Sequence, residues 1–198
     1  MEQENKCFYD IRHGDAYELI KTIPDKSIDC VYVDIPYLIE GMNSAKPTGV
    51  FRDRGGGAFA KEIIDLKIDK GIDYSILDEF IRICKIPNFY IWCSKSQILP
   101  ILNYCNEKIK KMAFKILPWC KLNPPPLCNS HYLSDIEYCL FITAPGVYFE
   151  AKFESAQSFY ISYVNIEDKK EFKHPTIKPL PFVKRHISNS VAPGGGLC

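Results

Sequence analysis

The chain has 198 residues, 46% hydrophobic and 25% charged, the balance of a folded domain with a real core rather than a disordered segment. A net charge of +1 excludes binding of nucleic acid through a global positive field, although lysines gather at 108–121 and 169–184, beside Arg185. Such clusters are either phosphate contacts or solvated helix faces. Nine cysteines, none spaced C-x-x-C, argue for a reducing cytosol and, with four scattered histidines, against structural zinc. The N-terminal MEQENK lacks a signal-peptide core and no apolar stretch approaches membrane-spanning length, so a cytoplasmic location is expected.

In chain order, residues 7–12 read as a short strand closed by His13-Gly14-Asp15, and 16–22 as a helical turn broken by Pro24-Asp25. Residues 28–33, IDCVYV, are a near-continuous apolar run, the pattern of a strand buried on both faces of a parallel sheet. The run ends on Asp34-Ile35-Pro36-Tyr37. From about 38 to 70 the pattern dissolves among Gly41, Pro47, Gly49 and Gly55-Gly56-Gly57, with Arg52 and Arg54 nearby. A loop of that length in a compact domain is functional or disordered. Apolar spacing predicts a helix over 74–86, a buried strand at 88–93, a helix over 96–112 and a strand at 114–119 that runs into Asn123-Pro124-Pro125-Pro126. A strand follows at 137–143, one or two more fall within 147–165, and HPTIKPLP leads to a helix over about 180–190 and a glycine-rich tail read as frayed. Strands alternating with helices predict an open α/β sheet, whose ligands sit beyond the carboxyl ends of the strands. Asp15 and Asp34 are both expected at such ends.

The chemistry concentrates at Asp34. An ionised carboxylate offers only acceptors, and Ile35 adds its carbonyl. Pro36 is fixed in φ and pushes Ile35 into an extended conformation, so the two acceptors converge. Tyr37 supplies a flat face beside them. This set suits a planar group bearing an NH₂, such as the exocyclic amine of a nucleobase. An Asx-type turn with a packed tyrosine is the structural alternative.

The tetrapeptide resembles the D/N/S-P-P-Y/F/W motif of the permuted amino-methyltransferases of DNA, which modify adenine at N6 or cytosine at N4. Gly14-Asp15-Ala16, Leu19 and Pro24-Asp25-Lys26-Ser27-Ile28-Asp29 are similar to that family's lead-in. Downstream, Ile91-Trp92 is similar to the end of its next strand, and Trp119-Cys120-Lys121 with Asn123-Pro124 to its W-x-K-x-N-P segment. Ser134-Asp135-Ile136-Glu137-Tyr138 is similar to the stretch before its sixth strand, and His174-Pro175-Thr176-Ile177-Lys178-Pro179 to HPTQKP. These matches are colinear over residues 13–193.

The resemblance implies a Rossmann-like class I methyltransferase sheet, circularly permuted, in a single partial domain over 1–198. That domain carries a DNA-facing loop at about 38–70 and a small insert at about 122–173. It implies S-adenosyl-L-methionine as cofactor, DNA as partner and no metal. The target amine is then held by Asp34 and the Ile35 carbonyl, with Pro36 stiffening the turn and Tyr37 stacking on a flipped base. Asp15, Ala16, His174, Thr176 and Lys178 resemble cofactor-binding positions, although a helix N-cap explains Asp15 equally well. Lys121 and Asn123 resemble the lining of the base pocket, and Arg52 and Arg54 are candidate phosphate contacts.

Two departures stand out. Ile35 replaces the first proline of the motif, and an acid at its first position leans toward adenine. The chain also ends in VAPGGGLC without the family's D-P-F-x-G-S-G turn, so the C-terminal cofactor-loop strands are expected to be lacking. A homo-oligomer or a complementing chain would then complete the sheet. The expected function is a site-specific DNA amino-methyltransferase of the restriction-modification type. The alternatives are a catalytically silent truncated remnant that at most binds DNA, and an RNA- or protein-amine methyltransferase, against which Asp34 argues because related motifs there begin with asparagine.

Overall fold

The computed structural model describes residues 9–38, 70–124, 132–173 and 176–198. Helix α1 (Ala16–Leu19) begins at Asp15, whose carboxylate accepts from the Tyr17 N–H at 2.8 Å, and a 3-10 turn (Ile20–Thr22) follows. Strands β1 (Val31–Asp34), β2 (Asn88–Cys93), β3 (Ala113–Lys121), β4 (Ile136–Thr143) and β5 (Tyr160–Ser162) form one sheet in the order β1-β2-β4-β3-β5. The other helices are α2 (Ile76–Ile83), α3 (Lys95–Lys108), α4 (Ile166–Glu171) and α5 (Leu180–Ser190).

The two faces of the sheet are covered by different helices. In α2, Ile76, Leu77, Phe80 and Ile83 form one apolar stripe. With Ile101 and Cys105 of α3, this stripe buries Phe89, Ile91 and Cys93 of β2 and Ile142 of β4. On the opposite face Phe182 of α5 closes over Tyr90, Trp92, Leu117, Trp119 and Cys139. All six residues of β2 are buried, because this strand lies beneath helices on both sides. Each large side chain so covered contributes about 1.5–3 kcal/mol. Among the described residues, no helix is long and apolar enough to cross a membrane.

The sheet is mixed rather than parallel. β1 and β2 are parallel, β4 runs antiparallel to β2 and β3, and β5 is parallel to β3. Residues 9–12 are not a strand; the Arg12 guanidinium instead bonds the Asp10 carboxylate and the Thr22 hydroxyl. Only Asp34 of the two expected aspartates therefore ends a strand, while Asp15 starts a helix. Within 147–165 only Tyr160–Ser162 pairs, and the unforeseen α4 is capped by Asn165, which accepts from the Asp168 N–H at 3.0 Å.

The tail is not frayed. Asp29 and Cys30 N–H donate to the Gly196 carbonyl at 2.8 and 3.2 Å, Cys198 N–H donates to Cys30 O at 3.0 Å, and Tyr32 N–H donates to Cys198 O at 2.6 Å. The tail thus lies parallel to β1 through a Cys30–Leu197 bridge, using edge groups that need partners. The Asp29 carboxylate fastens it, accepting from Gly196 N–H at 2.8 Å and from Lys85 Nζ.

The expected loop at about 38–70 lies outside the described residues except at its ends. Leu38 and Lys70 meet in an antiparallel bridge, so the chain departs and returns at one point. Gly71 follows at φ +72°, where a side chain would also sit 3.3 Å from Leu38 Cβ.

Candidate active site

Register gathers the site. Asp34, the last residue of β1, pairs with Trp92; Trp92 faces Cys139 of β4, and Glu137 faces Trp119 of β3. Side chains alternate along a strand and in-register partners share a face. Asp34, Trp92, Glu137, Trp119 and Lys121 therefore project from one face at the carboxyl ends of β1, β2 and β3. The segment leading into α5 brings Lys178 over this corner.

Lys178 is the hub. Its ammonium lies 3.1 Å from Asp34 Oδ2 and 2.8 Å from Glu137 Oε2, and donates to Tyr37 Oη at 3.0 Å. It also sits over the Tyr37 and Trp92 rings, 5.0 and 5.1 Å from their centroids, within cation–π range. Glu137 Oε1 takes Lys121 at 2.5 Å, and Glu137 Oε2 also accepts from the Tyr37 hydroxyl at 3.3 Å. Lys178, Glu137 and Lys121 are 10%, 13% and 14% exposed, against 40% for Asp34. The exposed carboxylate is thus backed by a nearly dry charge network.

The electrostatics follow. Burial works to raise the Glu137 carboxyl, but Lys178 and Lys121 outweigh it and hold it below the ordinary value. Burial likewise works against the Lys178 ammonium, yet Glu137 and then Asp34 keep it above the ordinary lysine value. Tyr37 is pushed far up, by burial first and then by the negative charges of Glu137 and Asp34, and stays a neutral phenol. Lys169 of α4, half-buried nearby, is lowered by burial and by the charges of Lys121 and Lys178. Lys178 and Lys121 pair with the two carboxylates, and Lys169 adds positive charge within electrostatic reach of Glu137.

The backbone of the motif is clamped from α3. Ser94 and Gln97 form a capping box, Gln97 Nε2 donates to the Pro36 carbonyl at 3.0 Å, and Ser96 Oγ donates to the Leu38 carbonyl at 3.1 Å. Carbonyls on both sides of Tyr37 are held by one helical turn. Ile35 N–H donates to Trp92 O at 3.3 Å, continuing the ladder with a bond that proline cannot make, and the Ile35 side chain is buried in the α2–α3 core.

The structure thus brings together Asp34, Ile35, Pro36, Tyr37, Lys121 and Lys178. Asn123 stands apart on the surface, its Oδ1 accepting from Val164 N–H at 2.7 Å. Asp15 and Ala16 are exposed at the start of α1, which is tied to the stretch after Gly71 by the Asp73 N–H donating to Tyr17 Oη at 2.9 Å. Thr176 is half-buried ahead of Lys178. Arg52, Arg54 and His174 lie outside the described residues. Glu137, Trp92, Gln97 and Lys169 are site residues that the sequence alone does not single out. For Glu137 a signal exists: it shares strand parity with the buried Cys139, an acid on an inward position of an otherwise apolar strand.

The five-stranded mixed α/β sheet with its helices is the fold of DNA methyltransferases. The chain is similar to M1.HpyAVI in its complex with SAM, at TM-score 0.60 and 19% identity over 91% of this chain and 76% of that one. It is also similar to M1.HpyAVI alone, at TM-score 0.58 and 19% identity over 94% and 77% of the two chains. The PvuII DNA methyltransferase, described as cytosine-N4-specific, aligns at TM-score 0.58 and 13% identity over 93% of this chain and 71% of its own. No protein-family model matches the chain, and neither does any curated protein.

Proposed function

We propose that this chain is an S-adenosylmethionine-dependent DNA methyltransferase acting on the exocyclic amine of a flipped base, adenine in preference to cytosine. The observation that carries the reading is Asp34: an exposed carboxylate at the carboxyl end of β1, beside a half-buried neutral tyrosine, in a fold shared with DNA methyltransferases. Asp34 and the Ile35 carbonyl accept hydrogen bonds from the amine. This favours a pyramidal nitrogen and stabilises the positive charge that develops on it. Pro36 and the α3 clamp keep the acceptors fixed, and Tyr37 walls the base.

The surplus of positive charge around Asp34 and Glu137 suits the carboxylate of a zwitterionic cofactor, and the aromatic walls suit its cationic centre. S-adenosylmethionine, when bound, supplies the methyl group. Asp15, Ala16, His174 and Thr176 are the residues assigned to hold it, while Lys178 stays with Asp34, Glu137 and Tyr37. Lys121 borders the base, and Arg52 and Arg54 meet phosphates of the DNA.

The test is direct. DNA incubated with the chain and S-adenosylmethionine is digested to nucleosides and analysed by mass spectrometry. N6-methyladenine is expected, N4-methylcytosine would move the base assignment, and no methylated nucleoside at all would overturn the reading. One observation favours a second reading, a silent relative that binds DNA without transfer: Lys178 already engages the Asp34 carboxylate. Retained DNA binding without methylation would select it.

A further inference from the structure

Asp34 and Lys178 are an acceptor and a donor on either side of one short gap, 3.1 Å between Oδ2 and Nζ. An ammonium has three N–H donors, and Asp34, Glu137 and Tyr37 take all three. Adenine at N6/N1 and cytosine at N4/N3 each present an amine donor next to a ring-nitrogen lone pair. Such an edge can enter the gap. The amine gives its hydrogen to Asp34, and the ammonium hydrogen released from Asp34 turns to the ring nitrogen.

One ion-pair contact opens and two hydrogen bonds form. Lys178 keeps Glu137 and Tyr37, and its seat over the two rings holds the charge in place. On its Watson–Crick edge guanine presents an N1–H beside its amine, a donor facing a donor, and thymine has no amine. Both are refused there by the same pair; guanine offers an amine beside a lone pair only at N2/N3, on the edge that carries the sugar. Building on the functional reading above, we propose that Lys178 is a specificity-determining residue that reads the ring nitrogen next to the target amine, N1 of adenine or N3 of cytosine.

The experiment compares kcat/KM for oligonucleotides in which the base methylated by the wild type is either natural or its deaza analogue: 1-deazaadenine for adenine, 3-deazacytosine for cytosine. 7-Deazaadenine serves as a control at the opposite edge. A lost charge-assisted hydrogen bond predicts a drop of about 10- to 100-fold on the deaza base, with 7-deazaadenine unaffected. The drop would arise although 1-deaza substitution weakens pairing and eases flipping. Lys178→Met should show the same loss on the natural base and no further loss on the deaza base.

Equal kcat/KM on natural and deaza bases in the wild type, or sensitivity to 7-deaza alone, overturns the inference while leaving the function intact. So does Lys178→Met that still discriminates. Absence of transfer to any oligonucleotide overturns the functional reading itself, and this inference with it. Where Lys178→Met does not fold, the wild-type comparison decides.

Discussion

Gln97 and Pro36 are joined by a hydrogen bond of 3.0 Å from the Gln97 Nε2 to the Pro36 carbonyl, and the same buried amide accepts from the Ser94 N–H at 3.0 Å through its oxygen. One side chain therefore starts helix α3 and fixes the turn that follows Asp34. Replacing it with an apolar residue of similar volume removes both bonds and strands a carbonyl.

For Gln97→Met the expected loss is about 2–4 kcal/mol, the sum of a helix cap and an unpaired polar group. Urea unfolding measures it. Methyl transfer should fall by more than the folded fraction does, because the acceptors beyond β1 lose their brace. A variant with wild-type stability and rate would show that the clamp is incidental.

Glu137 neutralises Lys121 and shares Lys178 with Asp34. Glu137→Gln should destabilise the fold by about 3–5 kcal/mol, the usual result of removing one partner from a buried ion pair. Adding Lys121→Met to Glu137→Gln should return part of that loss, since one stranded cation is then gone. Denaturation midpoints of the two variants test the coupling, and additive losses would contradict it.

His186 makes the fold acid-sensitive. It is 4% exposed, its ring is stacked on Tyr90 at 4.7 Å, and its Nδ1 lies 3.2 Å from the Tyr32 hydroxyl. That hydroxyl also accepts from Trp92 Nε1 at 2.9 Å, and burial keeps the imidazole neutral. Burial, and then the charge of Arg185, push His186 down to about 3.

The unfolded chain, with an ordinary histidine near 6.5, binds a proton that the folded chain refuses, so stability falls as pH drops below about 6.5. Roughly 2–3 kcal/mol should disappear between pH 6.5 and 4.5. Glu137, held below its ordinary value, loses its stabilisation only as pH falls further. Unfolding free energies of the wild type and His186→Gln at the two pH values test this. The variant should lose markedly less across that window, and an equal loss would rule the histidine out.

DNA binding through lysines should weaken steeply with salt, because each neutralised phosphate releases counterions. Lys110, Lys111 and Lys115 are exposed at and after the end of α3. Their replacement by glutamine should lower the slope of log K against log salt by roughly one for each phosphate that the protein ceases to neutralise. An unchanged slope would place the DNA on another face.

Much of this is legible in the residues. IDCVYV and NFYIWC announce their strands because burial on both faces erases polar positions, and the abrupt Asp34-Ile35-Pro36-Tyr37 marks the site. Sheet order and strand sense are not legible, since β4 reads alike whether it runs parallel or antiparallel to β2. The Lys178–Glu137–Lys121 network depends on a register that sets Glu137 opposite Trp119, a long-range fact with no local signature. The pairing of the tail escapes the sequence for a related reason: an extended segment along β1 needs only backbone groups, so composition is silent about it.

The central claim is that Asp34 grips the target amine. The most direct measurement is transfer of labelled methyl from S-adenosylmethionine to DNA by the wild type and by Asp34→Ala, with circular dichroism of both. Asp34 is the most exposed member of its network and Lys178 keeps Glu137, so the variant should fold normally while transfer falls by at least 100-fold, on the order of what removal of one preorganised transition-state contact costs. Undiminished transfer by a folded Asp34→Ala would contradict the account.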